Sequence, residues 1–283
     1  MRRWVDRVFA VSAGACAAVA AGVLLLIVAA IAWRGVGALS WEFFTDQIRR
    51  AGAAGGVFYN IAGTLILLVT ALAVSAPVAT ALALVHGVYL RGERAKSRLS
   101  LLLSVLNGVP SIVFGLFGFL VFVKFFGWGK SWLAGGIVLG VMMLPTVAVA
   151  LIERIQGLPR RYIETAFALG LRESQVVWSV VLPQSCGGLV TGSLLGLARA
   201  AGETAPIMFT ATIFAGATIP RGIAESPVLS LPYHIFILAQ DSFDPAVGGK
   251  LWGAALVLLL LVFGLGLLAL PARLRLHEEA GHA

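Results

Sequence analysis

Residues 194–211, LLGLARAAGETAPIMFTA, hold two groups that can do chemistry, the guanidinium of Arg199 and the carboxylate of Glu203. They stand four positions apart in a run of Leu, Ala, Gly, Ile, Met and Phe. A charge at the centre of a bilayer costs about 2.5–3.5 kcal/mol on insertion scales, so two of them need a reason. One reading is a structural ion pair that fixes helix register. The other is a pathway for an anion, with Arg199 attracting it and Glu203 holding or gating the arginine.

The element that must position these groups reads as a helix over about 185–209. At 100° per residue, Gly188, Gly192, Gly196, Arg199 and Glu203 fall on one stripe roughly 80° wide. The three glycines form small-xxx-small steps that admit another helix backbone. The charges share that face, so they point toward protein or a water-filled cavity, within i,i+4 reach of one another. Arg199 lies 16 residues beyond Pro183, about 24 Å along a helix, which puts the pair past the bilayer midplane.

The whole chain sets the same environment. Of 283 residues 59% are hydrophobic and 12% charged, with a mean hydropathy of +0.96, too little polar material for a water-soluble surface of this size. The charges are bunched, and charge-free stretches at 8–33, 51–90, 99–123, 131–152, 174–198 and 251–272 are each long enough to cross about 30 Å of hydrocarbon. Six transmembrane helices follow, in an all-α polytopic membrane protein. The apolar run after MRRWVDR exceeds a signal-peptide core and reads as an uncleaved first helix at about 9–33, accessory to the rest. With both termini cytoplasmic, 13 of the 21 Lys and Arg fall inside and 7 outside, Arg199 being the remaining one. The net charge of +8 is therefore a topology signal, and no soluble basic patch is left for nucleic acid.

Other motifs carry less. Cys16 and Cys186 lie in or beside apolar spans and suit neither a disulfide nor a metal site. The tight connection at 124–130 continues into Ser131 to give Gly-Lys-Ser, but Lys124 stands where a phosphate-cradling loop needs glycine, so no nucleotide site is expected. The outer segment 210–250, with four prolines, reads as re-entrant or interfacial, and its His234 as a packed residue. The inner segment 153–185 is more patterned. After Pro159 it forms a short helix with Tyr162, Ala166 and Leu169 on one side, ended by Gly170, and it turns back toward the membrane at Leu182-Pro183. A helix displayed there suggests docking of a soluble partner.

That inner segment, ETAFALGLRESQVVWSVVLP, resembles the EAA loop of ABC-importer permeases. Glu164, Ala166, Gly170, Val180, Leu182 and Pro183 match the pattern, and Thr165 replaces its middle alanine. NGVPSIVFGLFG at 107–118, GETAPIMFTA at 202–211 and SLPYHIFILA at 230–239 are similar to PstA-type permeases of phosphate ABC importers. The resemblance covers about 40–270. It implies the type I importer permease fold in a multi-pass protein of the bacterial inner (cytoplasmic) membrane, a single permease domain over 1–283 with its core at about 57–272. Tyr162, Glu164, Ala166, Gly170, Leu182 and Pro183 would couple to an ATPase, and Arg199, Glu203 and Thr204 would line the substrate pathway. The implied partners are a PstC-like permease, a PstB-like ATPase dimer and an extracytoplasmic phosphate-binding protein, besides membrane lipid. The chain itself would be no enzyme and would carry no cofactor or metal, ATP and Mg belonging to the ATPase. The sequence departs from that family at 149–153, where VALIE keeps only the final acid of a usually polar run. Another oxyanion such as molybdate or sulfate, a secondary anion transporter, and an added role in sensing phosphate status remain open.

Overall fold

A computed structural model describes residues 2–49, 54–90, 92–216, 219–240 and 245–281. It is helical almost throughout and divides into two compact units, Met1–Val57 with Leu238–Val257, and Phe58–Ile237 with Leu258–Ala283. Arg50 and Arg91, both counted in the orientation, lie outside the described residues.

In the first unit α1 (Arg2–Val36) is an unbroken helix about 52 Å long, and its apolar side chains from Phe9 onward are largely exposed. The amphipathic stretch after it forms α2 (Trp41–Thr45), which begins where Ser40 Oγ accepts the Phe43 N–H at 3.2 Å. A small hairpin follows, β1 (Ile48–Arg49) antiparallel to β2 (Ala54–Gly55). Phe43 is the anchor of this unit, fully buried against Gly253, with the Lys250 ammonium 4.8 Å from its ring.

The second unit is built around α6 (Trp132–Gln156), whose Leu139, Met142, Met143, Val147, Ala148 and Leu151 are all buried. Ser131 starts it, Oγ accepting the Ala134 N–H at 3.2 Å. On one side packs α3 (Phe58–Leu84), extended by a π-helical turn at Val85–Tyr89. The next two helices are α4 (Glu93–Gly108) and α5 (Ser111–Gly118), the latter continuing through a π-helical turn at Phe119–Phe125. After α6 come α7 (Arg160–Ala168), α8 (Glu173–Val176), a π-helical turn at Val177–Val181 and α9 (Leu182–Ala201). Then follow α10 (Ala205–Thr210), α11 (Leu231–Gln240) and α12 (Pro245–Gly281), these last two each shared between the units.

Three sequence expectations change. The stretch at 99–123 is not one straight span, because α4 and the α5 segment meet at 90°. Pro110 forces the break, holding Val109 extended (ψ 130°). Among the described residues five helices are long and apolar enough to cross a membrane, and six if the bent pair counts as one. Second, the chain does not turn at Leu182-Pro183. Helix runs from Glu173 to Ala201, the π-turn absorbing the missing proline N–H, and the reversal sits at Gly170, whose φ is +82°. Third, the helix begun near 185 stops at Ala201 and does not reach 209. Gly202 caps it, and Pro206 restarts the chain as α10.

Candidate functional site

The stretch of α9 from Gly188 to Gly196 is fixed by contact with α6. A Cβ on Gly192 would lie 2.9–3.0 Å from Ala150 Cβ and from Val147 Cα and O, and one on Gly188 would meet Arg154 Cβ at 2.6 Å. Gly196 faces Met143 in the same way, and all three glycines are buried. With lipid as apolar as the side chains, such backbone approach and its dispersion contacts hold helices together. The glycine stripe of the sequence is thus the seam with α6.

The last turn of α9 carries a charge. Arg199 sits in the last turn, where a cation suits the negative end of the helix. Its Nη1 donates to Asn107 Oδ1, on the last turn of α4, at 2.7 Å. Its Nε stands 3.9 Å from Glu203 Oε1. Glu203 is beyond the helix end, its backbone N–H donating to Ala200 O, so the pair is not the helical i,i+4 contact the pattern suggests. Thr204 follows as the residue before α10 and accepts the Met208 N–H through its carbonyl. The side chains of Arg199 and Glu203 are 35% and 18% exposed, so neither charge is sealed in apolar packing.

Asn107 also lines a cleft of about 340 Å³ between α4, α6 and α9, with Ser104, Thr146, Glu153 and Leu195. Val149 and Ala150 form part of its wall, so the run VALIE borders the cleft and Glu153 is its one carboxylate. Asn107 is the functional candidate that charge patterning missed. A neutral amide makes no mark in a charge count, and its signal was its place at the head of NGVPSIVFGLFG, before the helix-breaking Gly-Val-Pro.

At the other end of α9, α7 is displayed on the surface. Ala166 is buried while Glu164, Phe167 and Leu169 are exposed, and Leu169 borders one groove together with Tyr162 and Ala166, the side their spacing suggested. A groove of about 490 Å³ runs between α7 and the following turn, lined by Tyr162, Thr165, Ala166, Ser179, Val180 and Gln184. Gly170 ends α7 in the left-handed region, and nothing stands within 4 Å of where a Cβ would be. Leu182 is half-buried and Pro183 exposed beside this groove's Val180 and Gln184.

The face of the second unit beyond α10 is pinned more tightly. Lys130 Nζ donates to the carbonyls of Met208 and Thr212 at 2.9 and 3.1 Å, and burial lowers its pKa from the ordinary lysine value. Asn60 Nδ2 donates to Ser230 O at 3.2 Å, and the Leu231 N–H donates to Thr64 Oγ1 at 2.9 Å. His234 is buried against the Phe214 ring, as a packed residue, and desolvation lowers its pKa to about 4. Among the described residues no cluster of His, Cys, Asp or Glu could hold a metal. Cys16 is exposed and free, and Cys186 is free with its Sγ on Leu182 O.

Comparison with known proteins places this geometry. Residues 75–270 match the family model described as binding-protein-dependent transport system inner membrane component. A phosphate transport system permease protein PstA 2 of Mycobacterium bovis is 33% identical over 257 residues, 87% of this chain and 83% of that protein. The PstA protein of Yersinia pestis is 31% identical over 243 residues, covering 83% and 79%. A probable ABC transporter permease protein, YqgI of Bacillus subtilis, is 28% identical with 93% and 94% covered. Among solved structures, inward-facing MetNI methionine ABC transporter shares the fold at a TM-score of 0.58 and 16% identity, over 78% of this chain and 94% of that one. An amino acid ABC transporter matches at a TM-score of 0.53 and 17% identity, over 77% and 94%.

Proposed function

The chain belongs to the binding-protein-dependent transport system inner membrane component family, and as a multi-pass permease subunit of an inner-membrane ABC importer we propose that it carries phosphate inward. The observation that supports an anion is Arg199, a permanent positive charge held at 2.7 Å by the neutral amide of Asn107, which lines a cleft. Phosphate among the oxyanions is supported by the names of the PstA relatives. In this reading Arg199 attracts the anion during alternating access, Glu203 holds the guanidinium when the path is empty, and Thr204 lies beside them.

The chain forms half of the pathway, paired with a PstC-like permease, and receives phosphate from an extracytoplasmic binding protein. ATP is hydrolysed on a PstB-like dimer. The helix α7 docks on that ATPase through Tyr162, Glu164 and Ala166, with Gly170 setting its end and Leu182-Pro183 beside it, and passes closure of the ATPase to α9. The exposure of Glu164 and the groove under α7 support this role. The apolar run at 149–152 gives weight to a second cargo, sulfate or molybdate.

One experiment tests these points together. Labelled phosphate uptake is measured with sulfate and molybdate as competitors, in cells whose only copy of the subunit is the full-length chain. Arg199→Ala is expected to abolish uptake while the ATPase still co-purifies. Glu164→Lys is expected to lose the ATPase. Normal uptake by Arg199→Ala in an intact complex would remove Arg199 from the pathway and leave the register reading.

A further inference from the structure

The guanidinium of Arg199 has two unlike neighbours. The contact to Asn107 Oδ1, at 2.7 Å, has the length of a strong charge-assisted hydrogen bond. The approach to Glu203 Oε1, at 3.9 Å, leaves attraction between charges but no hydrogen bond. The well-made contact is the neutral one. A carboxamide oxygen fixes a guanidinium in place without cancelling its charge, whereas a carboxylate at that distance would turn the two into a neutral pair.

Position adds to this. Asn107 lies one residue before the end of α4, immediately ahead of the 90° break, so its bond ties α9 to the bend. It also lines the cleft with Ser104, Thr146 and Glu153. A carboxamide whose oxygen accepts from arginine carries two N–H donors on the same group, the chemistry an oxyanion takes.

We propose that Asn107 is a positioning and specificity residue for the anion. It holds Arg199 beside the cleft through a neutral acceptor, so that the loose approach of Glu203 is the compensation an incoming anion displaces, and it gives its own amide N–H to the oxyanion that Arg199 attracts. The inference rests on the reading of Arg199 as a pathway residue.

Asn107→Asp and Asn107→Leu are both close in size to asparagine, and two roles rank them in opposite order. A structural tether tolerates aspartate, which strengthens the bond to arginine, better than leucine. A neutral holder tolerates leucine better, because aspartate cancels the charge. Initial rates of labelled phosphate uptake are measured against concentration in cells carrying each full-length variant, with membrane abundance and melting temperature from the same preparations. Sulfate and molybdate run alongside, so the ranking is read on whichever anion the wild type carries. Asn107→Asp is expected to raise the half-saturating concentration about tenfold or more while keeping or raising the melting temperature, and Asn107→Leu to raise it only about threefold. Uptake by Asn107→Asp equal to wild type, or better than by Asn107→Leu, overturns the proposal. If Asn107→Asp does not accumulate, Asn107→Gln is compared with Asn107→Leu, and a neutral acceptor that performs no better than leucine overturns it equally. Arg199→Gln separates the layers: normal transport by that variant removes both readings, whereas its failure beside a normal Asn107→Asp removes only the role of Asn107.

Discussion

At Gly188, Gly192 and Gly196, α9 lies so close to α6 that an added methyl group would crowd it, whereas Arg199 in its last turn reaches across to α4 and stays partly exposed. The two stretches are adjacent turns of one helix. In the first, contact is continuous and apolar, and the helix cannot shift without losing it. In the second, a single strong hydrogen bond and a loose ion pair span an opening. Rigidity is therefore concentrated where no chemistry is expected, and the charged end has room to exchange partners. A pathway residue needs that combination, a fixed backbone carrying a side chain whose contacts can be replaced.

The largest effect should come from breaking the closed half. Gly192→Leu puts a branched side chain where even a Cβ is 2.9–3.0 Å from Ala150 and Val147. Overpacking of this kind costs about 1–3 kcal/mol or more. Membrane abundance and melting temperature of the purified protein should both fall well below those of Arg199→Ala. If Gly192→Leu melts like wild type, the seam is not what holds α9, and the contrast between its halves fails.

The sequence made one half of this contrast more legible than the other. Glycines at 188, 192 and 196 announce a close helix contact by spacing alone, though spacing does not say that the neighbour is α6. The charged half misled because Arg199 and Glu203 have helical spacing, while Gly202 and Pro206 between and beyond them carry the stronger local constraint. Asn107 stayed hidden for a different reason. Its partner lies 92 residues away, and the bend that brings it there depends on Pro110, a break that the charge-free length of 99–123 conceals. Hydrophobic length gives the spans, and the tertiary approach of α4 to α9 gives the site. The short helix α7 was legible because both its stops, Pro159 and Gly170, are local.

A second way to sharpen the contrast is acid. The seam around His234 is closed like the glycine seam, but it holds a group that can take a proton. Its pKa of about 4 in the fold lies below the 6.5 of an unfolded chain, because burial disfavours the charged ring. Above pH 6.5 both states are neutral there and stability is unaffected. As pH falls from 6.5 toward 4 the unfolded state binds the proton first, so stability drops, by up to about 3 kcal/mol once the folded pKa is reached. Melting temperature between pH 7 and 4.5 should fall for the wild type, and its slope should flatten in His234→Phe. An unchanged slope would mean that His234 is not sealed, and that this outer seam is open like the charged end of α9.

The smallest effect should come from Glu203→Gln, and it bears most directly on how the open half works. At 3.9 Å and partial exposure the pair with Arg199 belongs to the class worth about 0–1 kcal/mol, so the melting temperature should hardly move. Transport should change in a particular direction. Asn107 already fixes the guanidinium, so Glu203 acts chiefly as a competitor that the incoming anion must outbid. Removing its charge should lower the half-saturating anion concentration by severalfold, with release into the cell slowed and the maximal rate reduced by a similar factor. Concentration-dependent uptake rates on the full-length variant read both quantities. A large drop in melting temperature with no shift in half-saturation would instead make Glu203 part of the scaffold, and the open end of α9 would then be held by its charges as firmly as the closed end is by its glycines.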